Sequence, residues 1–177
     1  MAAEDSDRFV PGQTALVVPV PEAEPAVRKW RERYDPAARA GVPAHVTVLF
    51  PFLRASLVGH GTCAVLDEIF GRHRSFDVRF ETCGRFPGVL YLAPDPELPF
   101  LRLTEAVVDR WPEVPPYGGK YEAHPHLTVA QGQDDAVLDE VEAGLRAALP
   151  FTARVPTVDL VVFSGREWQH RASFALR

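Results

Sequence analysis

Two tetrapeptides hold residues able to do chemistry together: His45-Val46-Thr47-Val48 and His126-Leu127-Thr128-Val129. Composition alone gives roughly 0.06 copies of a His-apolar-Thr-apolar pattern per chain, so a pair is not a chance recurrence. A lone histidine of this kind would ordinarily be a core residue with a satisfied hydrogen bond. Two matched copies reverse that expectation. Imidazole is the side chain that can hold either protonation state near neutral pH. One neutral histidine can take a proton from an attacking hydroxyl or water, while a second, protonated, gives one to a leaving oxygen. Threonine hydroxyls can donate to non-bridging phosphate oxygens as charge develops. The set suits phosphodiester chemistry, and the scheme needs no metal and no cofactor.

Both copies follow a proline closely and both fall in apolar, β-branched runs, at 44–52 and 126–131. Strand side chains alternate between faces. His45 and Thr47 therefore share one face, roughly 6–7 Å apart, while Val46 and Val48 point the other way. His126 and Thr128 stand opposite Leu127 and Val129 in the same manner. If the two strands face one another across a cleft, four polar groups converge.

The remaining pattern supplies the scaffold. Strands are expected at 14–20, 76–82, 89–92, 155–163 and 168–176, with a turn over 84–88. Helices are expected from Pro25 through Val27, Trp30 and Tyr34, over 62–72, over 99–111, and after a cap at Asp134 or Asp135. A Pro- and Gly-rich loop spans 112–120. No glycine-rich phosphate loop follows the first strand, so a dinucleotide-binding fold lacks its main signal. An α+β fold with antiparallel pairing and outer helices fits better. Residues 1–12 read as a flexible acidic start and 13–177 as one bilobal domain. The lobe boundary falls within 85–100, or the chain crosses between lobes more than once.

Composition narrows the function classes. The 177 residues carry a net charge of -5 and are 46% hydrophobic. That excludes bulk disorder and argues against a broad basic surface for long nucleic acid, though not against a local phosphate site. Cys63 and Cys83 are too few for a disulfide framework or a cysteine-rich zinc site and read as free thiols. No signal peptide or membrane-length apolar run is visible. A cytoplasmic monomer is expected.

The segments Pro43-Ala44-His45-Val46-Thr47-Val48-Leu49-Phe50-Pro51-Phe52 and His124-Pro125-His126-Leu127-Thr128-Val129-Ala130 resemble the 2H phosphoesterase superfamily, in its bacterial 2′-5′ RNA ligase-like branch. The resemblance spans about residues 14–176 and is sharp at the two motifs. It implies two similar lobes related by a pseudo-twofold, with antiparallel sheets facing a central cleft and helices outside. It also implies action on 2′,3′-cyclic phosphate ends or 2′-5′ linkages, of a nucleotide or an RNA end. His45 and His126 take the catalytic positions and Thr47 and Thr128 the phosphate-binding ones. A 2′-5′ phosphodiesterase on short oligonucleotides uses the same four residues. A binder of cyclic-phosphate or 2′-phosphate ends without turnover is the alternative from another class.

Other candidates are weaker. Tyr117 and Lys120 lie in the loop that leads into the second motif and could contact substrate, since bases stack on aromatic rings. Arg85 and Arg166 are possible phosphate clamps, with solvated surface as the default. His124 reads as a rim residue at the strand start rather than half of a metal pair with His126. Phe52 reads as core, and no function falls to His60, His73 or His170.

Overall fold

The computed structural model describes residues 8–177. Strands β1 (Thr14–Pro19), β2 (His45–Leu49), β7 (Thr157–Phe163) and β8 (Trp168–Ala175) form one sheet in the order β2-β1-β7-β8. Strands β3 (Phe76–Phe86), β4 (Val89–Asp95), β5 (Leu127–Gln131) and β6 (Phe151–Val155) form the other, in the order β5-β4-β3-β6. Every neighbouring pair is antiparallel. The helices are α1 (Glu24–Tyr34), the single turn α2 (Pro36–Arg39), α3 (His60–Phe70), α4 (Leu98–Arg110) and α5 (Asp135–Leu145). This is the expected α+β arrangement of two antiparallel sheets with helices.

The two sheets repeat one plan. Each places its motif strand, β2 or β5, at an edge. Each pairs that strand with the one before it in the same sheet, β1 or β4, across an intervening helix, α1 or α4. The chain enters the first sheet, builds the whole of the second, then returns for β7 and β8, so it crosses twice. The crossing back occurs at Pro156, between β6 on β3 and β7 on β1. Strand β6 is absent from the sequence expectation, because its apolar face is only Phe151, Ala153 and Val155, alternating with exposed Thr152 and Arg154. Strand β3 is longer than expected: it continues to Phe86, and the turn is confined to Pro87 and Gly88, the latter at φ +73°.

One apolar core joins the lobes, with Val46, Val48, Leu127 and Val129 from the motif strands inside it. Helix α1 packs against β5 and α4 against β2, so each lobe's connecting helix supports the other lobe's motif strand. Thr104 in α4 donates to the Val48 carbonyl at 2.7 Å, which fixes that contact. At the contact of α1 with α5, a Cβ on Gly144 would lie 2.3 Å from the Trp30 ring, so only glycine fits. A second, smaller cluster covers the other face of the first sheet: Ala15, Val17, Val161, Phe163 and Trp168, with Phe9 and Phe50 packed on it. That double cover explains why β1 shows no burial alternation. Of the stretch expected to be flexible, residues 1–7 lie outside the described residues, whereas the Phe9 ring sits 5.3 Å from Trp168. Among the described residues no helix is long and apolar enough to cross a membrane.

Candidate active site

The motif strands share more than their sequence pattern. In β2, Thr47 pairs with Val17 and Leu49 with Leu16, which leaves Val48 as an extra residue. In β5, Thr128 pairs with Tyr91 and Ala130 with Leu90, which leaves Val129 extra. Each strand thus has a bulge at the same place, one residue after the threonine. The bulge turns two successive residues into the core, Val48 with Leu49 and Val129 with Ala130. It leaves the histidine and threonine half-buried on the opposite face.

The histidines are held alike. His45 donates its Nδ1–H to the Pro43 carbonyl at 2.8 Å. His126 donates its Nδ1–H to the carbonyl of His124. In each case the carbonyl lies two residues upstream and can only accept, so the neutral ring carries its proton on Nδ1 and presents a bare Nε2. Strands β2 and β5 lie against one another, and the charge of His126 is felt at His45. The structure therefore brings His45, Thr47, His126 and Thr128 together. Among the described residues neither threonine hydroxyl has a partner within the protein, which leaves both available to a ligand.

The surroundings of the two histidines differ. Burial pushes His45 down to about 3, with the Arg31 cation and then His126 adding to the fall and the Pro43 hydrogen bond opposing it. Arg31 is itself buried on the apolar side of α1. It binds Asp35 through Nη2 at 3.0 Å and the Val42 carbonyl at 3.1 Å. Asp35 also accepts from the Ala37 amide at 3.0 Å, which caps α2. Burial pushes the Asp35 carboxyl up while Arg31 and that amide pull it down. His126 is lowered as well, first by burial, with the charge of His124 adding to it. Its neighbours are aromatic: Phe86 at 5.2 Å and Tyr91 at 5.5 Å between ring centroids, both near edge-to-face.

The other expected contacts divide. Tyr117 lies beside the first motif, in a recess with Thr47, Phe50, Thr104 and His124. Its amide donates to the Phe50 carbonyl at 2.7 Å and its backbone is left-handed, φ 52°. The loop before the second motif is thus tied to the strand end of the first. Lys120 is exposed and does not line that recess. Arg85 is engaged elsewhere, to Asp139 at 2.7 Å and Glu142 at 3.3 Å on α5. Arg166 is exposed in the turn before β8. Phe52 is core, its ring 5.1 Å from Trp111. His124 does sit at the rim, with Nε2 3.2 Å from the Tyr91 hydroxyl. Sequence reasoning missed Phe86, Tyr91 and the Arg31–Asp35 pair. Gly84 inside a strand was the available signal for the first two, since such a glycine often marks a close approach. A charged residue in the Val27–Tyr34 stripe, with an acid four residues on, was the signal for the pair.

No curated protein matches this sequence. Solved structures do. Escherichia coli LigT complexed with 3'-AMP superposes with a TM-score of 0.62 at 19% identity, covering 94% of this chain and 99% of that one. LigT complexed with ATP gives 0.59 at 18% identity, over 94% and 99% of the two chains. TT0787 of Thermus thermophilus gives 0.59 at 19% identity, over 93% and 98%. These likenesses establish the fold. The sequence itself matches the 2'-5' RNA ligase superfamily over residues 19–167. With both histidine motifs inside that span, the chain belongs to the 2'-5' RNA ligase superfamily of 2H phosphoesterases.

Proposed function

We propose that this protein is a phosphoesterase that opens 2′,3′-cyclic phosphates of nucleotides or RNA ends by two-histidine acid–base catalysis. The observation that carries the reading is the matched pair of bare Nε2 atoms, one per lobe, each on the same face as a threonine hydroxyl that has no partner among the described residues. Both rings are depressed below the ordinary histidine range, so both are neutral in the empty site near neutral pH. A bound phosphate anion favours the charged form of a nearby imidazole, so one ring gains a proton when substrate arrives. The neutral ring then takes a proton from water as its oxygen bonds to phosphorus. The P–O3′ bond breaks, the protonated ring gives its proton to O3′, and a 2′-phosphomonoester with a free 3′-hydroxyl remains. Thr47 and Thr128 donate to the non-bridging oxygens as their charge grows. The same course, with a 5′-hydroxyl in place of water, is 2′-5′ joining.

The complexes of LigT with 3'-AMP and with ATP support a nucleotide as the ligand class. The net charge of -5 favours a small substrate or a single RNA end over two long polyanions, so ligation is the lesser activity. Tyr117 lines the same recess as Thr47, which supports a substrate contact there. The test is a panel of 2′,3′-cyclic mononucleotides, 2′-5′ and 3′-5′ dinucleotides, and cyclic-phosphate RNA ends, with product mapping. Turnover of cyclic phosphates to 2′-phosphates is expected. Cleavage confined to 2′-5′ dinucleotides would replace the reading with a 2′-5′ phosphodiesterase. Tight binding without turnover would make the protein a binder of such ends.

A further inference from the structure

The residue two before each reacting histidine supplies the carbonyl that holds its Nδ1–H. In the first lobe that residue is Pro43; in the second it is His124, a third imidazole in the cleft. The His124 ring is not left loose. Its Nε2 lies 3.2 Å from the Tyr91 hydroxyl, and its ring packs 5.5 Å from Phe86 and 5.7 Å from Tyr91. Tyr91 in turn is built in. It is buried and pairs across the ladder with Gly84, where a Cβ would lie 2.4 Å from the tyrosine ring and hydroxyl. Any larger residue at Gly84 would displace the ring from this place. Tyr91 also pairs with Thr128 on its other side, so it bridges β3 to the second motif. The position corresponding to Tyr91 in the first sheet is Val17, the partner of Thr47, which has no hydrogen-bonding side chain.

We propose that Tyr91 and His124 are a positioning pair for His126. The Tyr91 hydroxyl donates to His124 Nε2, which fixes that imidazole in place. The pair thereby steadies the carbonyl that orients His126. This rests on the two-histidine reading above. The hydrogen bond from the His126 Nδ1–H to the His124 carbonyl favours the charged form of His126, so that carbonyl has to be held still. The titratable groups that face His126 are Tyr91 from β4, His124 on its own approach, and His45 from β2 with Arg31 of α1 behind it. Phe86 from β3 is neutral.

The test uses the full chain and the imidazole proton resonances of His124 and His126, titrated by NMR, with Tyr91→Phe as the variant. That change removes one oxygen and keeps the ring over Gly84. The expected result is a fall in the His126 pKa of a few tenths of a pH unit, because its Nδ1–H loses a steady acceptor. In a His124→Gln background, which keeps the backbone carbonyl, Tyr91→Phe should leave His126 where it is. With 2′,3′-cyclic AMP, Tyr91→Phe should lower kcat about three- to tenfold with KM within about twofold. Identical His126 titrations in wild type and Tyr91→Phe would overturn the pair, whether or not the protein turns over cyclic phosphates. Full activity in His126→Gln would instead remove the two-histidine reading and leave the NMR result standing.

Discussion

The two motif strands are the same device in different surroundings. Each carries a half-buried histidine, a threonine on the same face, a bulge one residue later and a carbonyl two residues upstream that fixes the tautomer. Around His45 the sheet is covered on both faces, and a buried Arg31–Asp35 pair stands behind the ring. Around His126, among the described residues, no such cation stands; Phe86, Tyr91 and His124 form its walls. The proposed acid–base catalysis would account for both halves of the comparison. The reacting atoms must be presented alike to one phosphate, so the local geometry repeats. One ring must hold a proton when the other does not, so unlike environments are useful.

The comparison can be broken from either side. Arg31→Met should have the largest effect on stability, about 3–5 kcal/mol, because it strands the buried Asp35 carboxylate. Urea unfolding measures it, and Arg31→Met with Asp35→Leu should recover most of the loss. A single-variant cost below about 1 kcal/mol would mean that the pair does not organise the first lobe. Thr47→Ala and Thr128→Ala should each lower kcat by about 10²–10³-fold, in keeping with loss of one oxyanion donor. Unequal losses would show that one lobe carries the developing charge alone. Gly84→Ala should cost about 1–3 kcal/mol by pushing a Cβ into the Tyr91 ring, an effect confined to the second lobe.

Acid should expose the same asymmetry. The folded His45 titrates near 3, well below an unfolded histidine, so between about pH 6.5 and 3 the unfolded chain binds a proton that the native site refuses. Stability therefore falls as pH falls through that window, by at most about 1.4 kcal/mol per pH unit for this group. His126 acts in the same direction. Unfolding midpoints from pH 7 to 4 should flatten more in His45→Asn than in His126→Asn. The smallest effect belongs to Arg85→Ala. Its partners are partly exposed α5 carboxylates, so stability should change by less than about 1 kcal/mol and turnover by less than about twofold.

What the sequence made legible were the properties set by local geometry. Strand parity alone put His45 with Thr47 and His126 with Thr128, because alternation needs no knowledge of neighbours. Helix periodicity likewise located α1, α4 and α5. What stayed hidden depends on which strand lies beside which, and in what register. Tyr91 and Phe86 reach the second motif only because β4 pairs with β5 and β3 with β4. Arg85 looked free for phosphate until α5 brought Asp139 and Glu142 to it. The bulges after Thr47 and Thr128 leave no distinct mark in their apolar strands, although they decide which side Phe50 and Gln131 face. The return of β7 and β8 to the first sheet was open for the same reason: their sheet is set by β1, the strand that β7 pairs with.

His45 and His126 are proposed to act as one acid–base pair on a cyclic phosphate. The most direct measurement is the turnover of 2′,3′-cyclic AMP by wild type, His45→Ala and His126→Ala at saturating substrate, with folding checked by circular dichroism. Each substitution should lower kcat by about 10²–10⁴-fold, and the double variant should be little worse than either alone, since a pair that acts as a unit is lost when one member goes. Turnover at the wild-type rate in either folded single variant would contradict the account.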